Sequence, residues 1–269
     1  MKMIFFFIKD DVILRDFLTR QIIHLNIDIK KKTGQGTKIV SKIFALILSL
    51  CKNLTVLNFC HMFSIRKCLL PICYLPSTNC MSLTLVKLTI TVSCLMECIY
   101  LFNGHLDSLS TLIINVSDIF GPAIPKYPQV SSKYPRVRYL TMDDVNIIPF
   151  EHKFFRIISE DFPFLEFLRI YNHYPTKSKE HSLTLIIFLY LTMLDLQDAH
   201  DDYAELLLLK KKTSLPRLLN LSMTYKSLTK ITNNFTNNPM YFNSSKLKSL
   251  GIYQSFIRPK NFHHYFPLL

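Results

Sequence analysis

The sequence predicts an α/β fold, a right-handed horseshoe solenoid with parallel strands inside and helices outside. Three observations carry this. A unit of the form apolar-x-x-Leu-x-apolar occurs nine times. The units start 24 to 32 residues apart, on average about 28. Between them, apolar residues change from a period of two to a helical spacing.

The units begin at Ile22, Leu54, Leu85, Leu109, Val137, Leu165, Leu191, Leu218 and Leu247. Their fourth positions are Leu25, Leu57, Leu88, Leu112, Leu140, Leu168, Leu194, Leu221 and Leu250. The sixth position is apolar in every unit, while the fifth is mostly polar: Asn26, Asn58, Thr89, Ile113, Thr141, Arg169, Asp195, Ser222 and Gly251. This alternation describes a strand with one buried face. Helices are expected on the stripes Ile39, Ile43, Leu46, Ile47 and Leu50; Leu95, Cys98, Ile99 and Phe102; Phe154, Ile157 and Ile158; and Tyr203, Leu206 and Leu207. Turn chemistry at Gly121, Pro122, Pro125 and Pro128, and at Asn233, Asn234, Asn237, Asn238 and Pro239, separates later units. Each unit of 24 to 32 residues therefore reads as strand, turn, helix and return. One unit cannot bury its own apolar face, but nine stacked units share a core. Period and core pattern together match a leucine-rich-repeat solenoid.

Composition narrows the class. The chain has 269 residues, 49% of them hydrophobic and 19% charged, which excludes a disordered tail. Five glycines make a glycine-built nucleotide fold a poor fit. Mean hydropathy is +0.21, yet the longest apolar run, residues 183–194, ends at Asp195 and falls short of the roughly 20 residues a spanning helix needs. Residues 43–51 are shorter still. The start of the chain, residues 1–8, lacks a signal-peptide cleavage site. The expectation is an intracellular protein, cytoplasmic or nuclear, with no membrane partner. Cys51, Cys60, Cys68, Cys73, Cys80, Cys94 and Cys98 lie in one stretch without a C-x-x-C pair, so they read as reduced, buried thiols rather than metal ligands.

The phrases Ser41 to Leu57 and Leu106 to Ile114 resemble the divergent F-box-like proteins of invertebrates, and residues 18–260 resemble the repeat part of F-box/leucine-rich-repeat proteins. The resemblance implies that the repeats capture a protein substrate for a cullin-type ubiquitin ligase. In the family an F-box of about 45 residues precedes the repeats and binds the ligase adaptor. Residues 1–21 are too short for one, so residues 22–269 form the repeat domain, and adaptor binding is expected only with an F-box upstream. A tenth strand would begin near residue 275, and residues 262–269 read as the helical half of an unfinished unit.

Function is expected on the concave face, in columns two, four and six residues after each unit start. The central columns hold Tyr139, Thr141, Asp143, Phe167, Arg169, Tyr171, Met193, Asp195 and Gln197. Aromatic residues and Arg are enriched at binding hot spots. No catalytic site, metal or cofactor is expected. Asp195, Asp198, His200, Asp201 and Asp202 form an acidic cluster best explained by the start of a helix. His263 and His264 are adjacent and cannot chelate as an i, i+4 pair. Gly34, Gly36 and Lys38 lack phosphate-loop spacing. The net charge of +13 concentrates at Lys30 to Lys32, Lys210 to Lys212, and Lys226, Lys230, Lys246 and Lys248. With no nucleic-acid motif beside them, these lysines leave nucleic acid the weakest partner class. A scaffold unconnected to ubiquitin is the main alternative.

Overall fold

The computed structural model describes residues 19–27, 37–59, 82–92, 106–116, 134–144, 149–176, 184–254 and 256–269. The protein folds as two compact α/β units, Met1–Pro128 and Gln129–Leu269.

The first unit contains β1 (His24–Ile27), α1 (Thr37–Leu50), β2 (Val56–Phe59), β3 (Lys87–Val92) and β4 (Thr111–Val116). The four strands pair in parallel and in chain order. Their register stacks Leu25, Leu57, Leu88 and Leu112 in one row, and Ile27, Phe59, Ile90 and Ile114 in the next. Leu57, Leu88 and Leu112 are fully buried; Leu25, on the end strand, is half-buried. Helix α1 forms where the apolar stripe places it, but its buried face is rotated. Val40, Ile43, Phe44 and Leu48 point inward, while Leu46, Ile47 and Leu50 are half-buried. The Phe44 ring meets Phe59 edge-on at 5.2 Å, and this contact seats the bulkier side chain in the core.

The second unit contains β5 (Tyr139–Asp144), α2 (His152–Asp161), β6 (Phe167–Tyr171), β7 (Ile186–Ile187), β8 (Met193–Asp195), α3 (Asp201–Leu208), β9 (Thr213–Ser214), β10 (Asn220–Ser222), α4 (Tyr225–Thr232), a 3-10 turn (Pro239–Tyr241), β11 (Ser249–Gly251) and α5 (Phe262–Tyr265). Strands β5, β6, β8, β10 and β11 pair in parallel in that order. Leu140, Leu168, Leu194, Leu221 and Leu250 stand in one register row. The sixth-position residues Leu196 and Met223 are buried just beyond their short strands.

A backbone signature repeats in both units. The carbonyl of the second residue of one repeat accepts from two successive N–H groups of the next. Ile23, Thr55 and Val86 do this in the first unit, and Arg138, Glu166, Thr192 and Leu219 in the second. Three residues before every repeat start except the first lies a buried side chain. Cys51, Leu106, Tyr134, Phe162, Leu215 and Ser244 each also accept, through their carbonyls, the N–H of the repeat's first residue. Cys51 thus has a packing role, and burial pushes its thiol pKa up. The other six cysteines lie outside the described residues, as does the stripe Leu95 to Phe102.

Two expectations for the helices change. In α2 the buried face is Phe154, Phe155 and Ile158, with Ile157 only half-buried. Between β6 and β8 the described residues contain no helix. They contain β7, which pairs in parallel with β9 to form a second, two-stranded sheet. Residues 185–189 are apolar throughout, so no helical stripe competes with the β-branched pair at Ile186 and Ile187. Of residues 262–269, only 262–265 form a helical turn, with Tyr265 packed against Phe235 and Phe242. The asparagine-rich turn that precedes it is left-handed at Asn233, Asn234 and Phe235. The Phe235 N–H donates to Thr232 Oγ1, which helps hold this unusual conformation for a buried aromatic residue. Among the described residues no helix is long and apolar enough to cross a membrane.

Candidate functional site

Alternation on β5, β6 and β8 sends the leucine row into the core and the intervening side chains to the open face. Parallel register then converts sequence spacing into rows. Tyr139, Phe167 and Met193 form the first row, which continues into Asn220 and Ser249. Tyr139 is 47% exposed, and its ring lies 6.0 Å from that of Phe167. Phe167 and Met193 are half-buried. The row therefore offers apolar surface that the described residues leave open.

Thr141, Arg169 and Asp195 form the second row, followed by Ser222 and Gly251. Arg169 is the organised charge of this face. Its Nη2 donates to Asp198 Oδ2 at 2.9 Å, and its Nε lies 3.5 Å from Asp195 Oδ2. The bond to Asp198 raises the guanidinium pKa above its already high value; partial burial opposes this, and the nearby charges of Asp195, Asp198 and Tyr253 add to it. Gly251 closes the row tightly, since a Cβ there would meet Ser222 Oγ at 3.0 Å.

Asp143 and Tyr171 form the third row, with Tyr171 exposed and its ring 4.9 Å from His173. Two of the nine expected residues are placed differently. Asp195 is buried, because the chain turns immediately after β8 and the Gln197 N–H donates back to Asp195 Oδ1 at 3.2 Å. Gln197 is therefore in that turn and not on a strand. Sequence reasoning missed Asp198 and Tyr253 as neighbours of Arg169. Asp198 was grouped with the helix start, and only the course of the turn after Asp195 brings it to Arg169.

The acidic cluster divides in two. Asp195 and Asp198 serve Arg169. His200 caps α3, its Nδ1 accepting from the Asp202 N–H at 3.3 Å. Asp201 accepts from Ser227 Oγ at 2.6 Å and pairs with Lys226 at 3.0 Å, while Asp202 pairs with Lys230 at 2.9 Å. Burial pushes both carboxyl pKa values up, but the bonds to Ser227 and Lys226 for Asp201, and to Lys230 for Asp202, outweigh it and hold both below the usual range. Among the described residues no group of three or more His, Cys, Asp or Glu could hold a metal ion. Lys226 and Lys230 are thus committed to α3, and Lys246 donates to the Pro216 carbonyl at 3.0 Å.

No protein-family model, no curated protein and no solved structure matches the chain.

Proposed function

We propose that the chain is a leucine-rich-repeat solenoid that recognises a protein through the open face of β5, β6 and β8, as the substrate-receiving part of an F-box-like component of a cullin-type ubiquitin ligase. The repeat reading is supported by the in-register leucine rows and the forked carbonyl signature. Recognition is supported above all by one observation: the exposed Tyr139 and half-buried Phe167 and Met193 stand in a single row beside a guanidinium held by two carboxylates. Aromatic anchors next to a preorganised Arg are the composition of a binding hot spot. The ubiquitin connection rests on the family resemblance of the repeats. The pairing of Lys226 and Lys230 with Asp201 and Asp202 favours a structural use of those lysines over a nucleic-acid groove.

Affinity purification of the tagged wild-type chain and a Tyr139→Ala/Phe167→Ala variant tests both parts. The expected result is a protein recovered by the wild type and depleted at least tenfold by the variant, with the ligase adaptor recovered only when the bait carries an F-box upstream of residue 1. Recovery of that protein without the adaptor when the full-length protein is the bait removes the ubiquitin reading and keeps recognition. Equal recovery by both chains contradicts the recognition site.

A further inference from the structure

The short sheet β7–β9 turns part of the most apolar segment of the chain outward. Ile186 and Phe188 are buried, at 0% and 3% exposure, while Leu185, Ile187 and Leu189 are 45%, 47% and 55% exposed. Period two places these three on one face.

Positive charge borders this row. The Ile186 N–H donates to the Lys212 carbonyl, so the run Lys210 to Lys212 opens directly onto the start of β7. Lys212 is neutralised by Glu205 at 2.6 Å. Lys210 and Lys211 are exposed and form no ion pair among the described residues. On the other side β7 lies beside α2, where Lys153 is exposed and equally unpaired, and Arg156 lies 3.7 Å from Glu160. At the far end, Arg217 stacks over the Tyr190 ring at 4.7 Å.

We infer that this face is a docking site for an anionic lipid surface, with Leu185, Ile187 and Leu189 entering the headgroup boundary and Lys210, Lys211 and Lys153 meeting the lipid charge. The chemistry selects lipid over protein. Protein interfaces are depleted in Lys, and their hot spots are poor in Leu. An aliphatic row beside unpaired lysines supplies instead the two signals that stable peripheral membrane contact requires. A surface contact does not require a spanning helix of roughly 20 residues, so it is compatible with the finding that no helix among the described residues is long and apolar enough to cross a membrane. It is also independent of the open face of the large sheet.

Sedimentation of the full chain with phosphatidylcholine vesicles, with and without about one-third phosphatidylserine, tests the inference. The wild type is expected to sediment with the anionic vesicles and to remain in solution with the neutral ones. Each lysine is worth about fivefold in partitioning, so Lys210→Ala/Lys211→Ala weakens binding about 25-fold. Leu185→Ser/Ile187→Thr/Leu189→Ser weakens it at least tenfold. Lys246→Ala/Lys248→Ala, which removes the same net charge elsewhere, leaves it within about twofold. The inference is overturned by no binding to anionic vesicles, by equal loss in the two lysine pairs, or by full binding of the apolar-row variant.

Discussion

The two faces of the second-unit sheet are built from the same three strands and follow opposite rules. On the core face the register row is Leu140, Leu168 and Leu194, one residue type repeated at essentially zero exposure. On the open face the neighbouring rows are Tyr139, Phe167, Met193 and Thr141, Arg169, Asp195, with no type repeated. In this row the close-packed interior leaves each strand the same slot, while the next core row, with Met142 beside Ile170, stays apolar but varies in type. The open face meets no such slot, so its residues are free to differ. Uniformity therefore reports stability, and variety reports whatever the face contacts.

This contrast can be broken by mutation. The largest effect is expected on the core row: Leu168→Ala leaves a cavity among stacked leucines and should cost about 3 kcal/mol, read as a fall in the urea midpoint. Leu250→Ala, on the half-buried end strand, should cost clearly less. An equal cost at both positions would show that row position does not govern packing.

Next comes the polar clamp between α3 and α4. Ser227→Ala removes a 2.6 Å bond to the buried Asp201 carboxylate and should cost about 2 kcal/mol at neutral pH. Because the folded Asp201 pKa is depressed, its contribution is present above the unfolded value and is lost as pH falls through the folded one. The deficit of the variant relative to wild type should therefore narrow in acid.

Asp161, the last residue of α2, has the opposite sign. Burial and the neighbouring Glu160 raise its pKa to about 6, and the negative end of the helix dipole acts the same way. The unfolded chain releases this proton near pH 3.9. Between those two values the folded state holds the extra proton, so stability falls as pH rises. Asp161→Asn should stabilise the protein by about 1 kcal/mol at pH 7, after solvent screening at a half-exposed group, and by nothing once both states are protonated below about pH 3.5. Urea melts of the two chains across that range check both the sign and the window.

What the sequence disclosed follows the same division between the faces. All nine fourth-position leucines were legible, because a shared slot repeats one residue type at a regular step, and seven parallel strand pairings align them within the two units. Arg169 and Asp195 were legible as row neighbours for the same reason. The Arg169–Asp198 bond was not, since Asp198 lies in a turn outside the period. β7 was not legible either. An unbroken apolar run carries no alternation, and only packing beside α2 separates Ile186 and Phe188 from Leu185, Ile187 and Leu189. The buried residue three positions before every repeat but the first was present in the sequence, but its type varies from Cys51 to Tyr134 to Ser244, so no letter marks it.

The smallest structural effect should accompany the largest functional one. Tyr139→Ala/Phe167→Ala sits on surface that the core does not use, so its thermal midpoint should stay within a few degrees of wild type, as expected for changes away from buried contacts. The decisive measurement is the affinity of this double variant for the protein captured by the wild-type chain, taken alongside its melting curve. Binding weakened at least tenfold with the fold intact is the outcome predicted here. Unchanged binding, or a loss of binding that merely follows unfolding, would contradict the division of labour between the two faces.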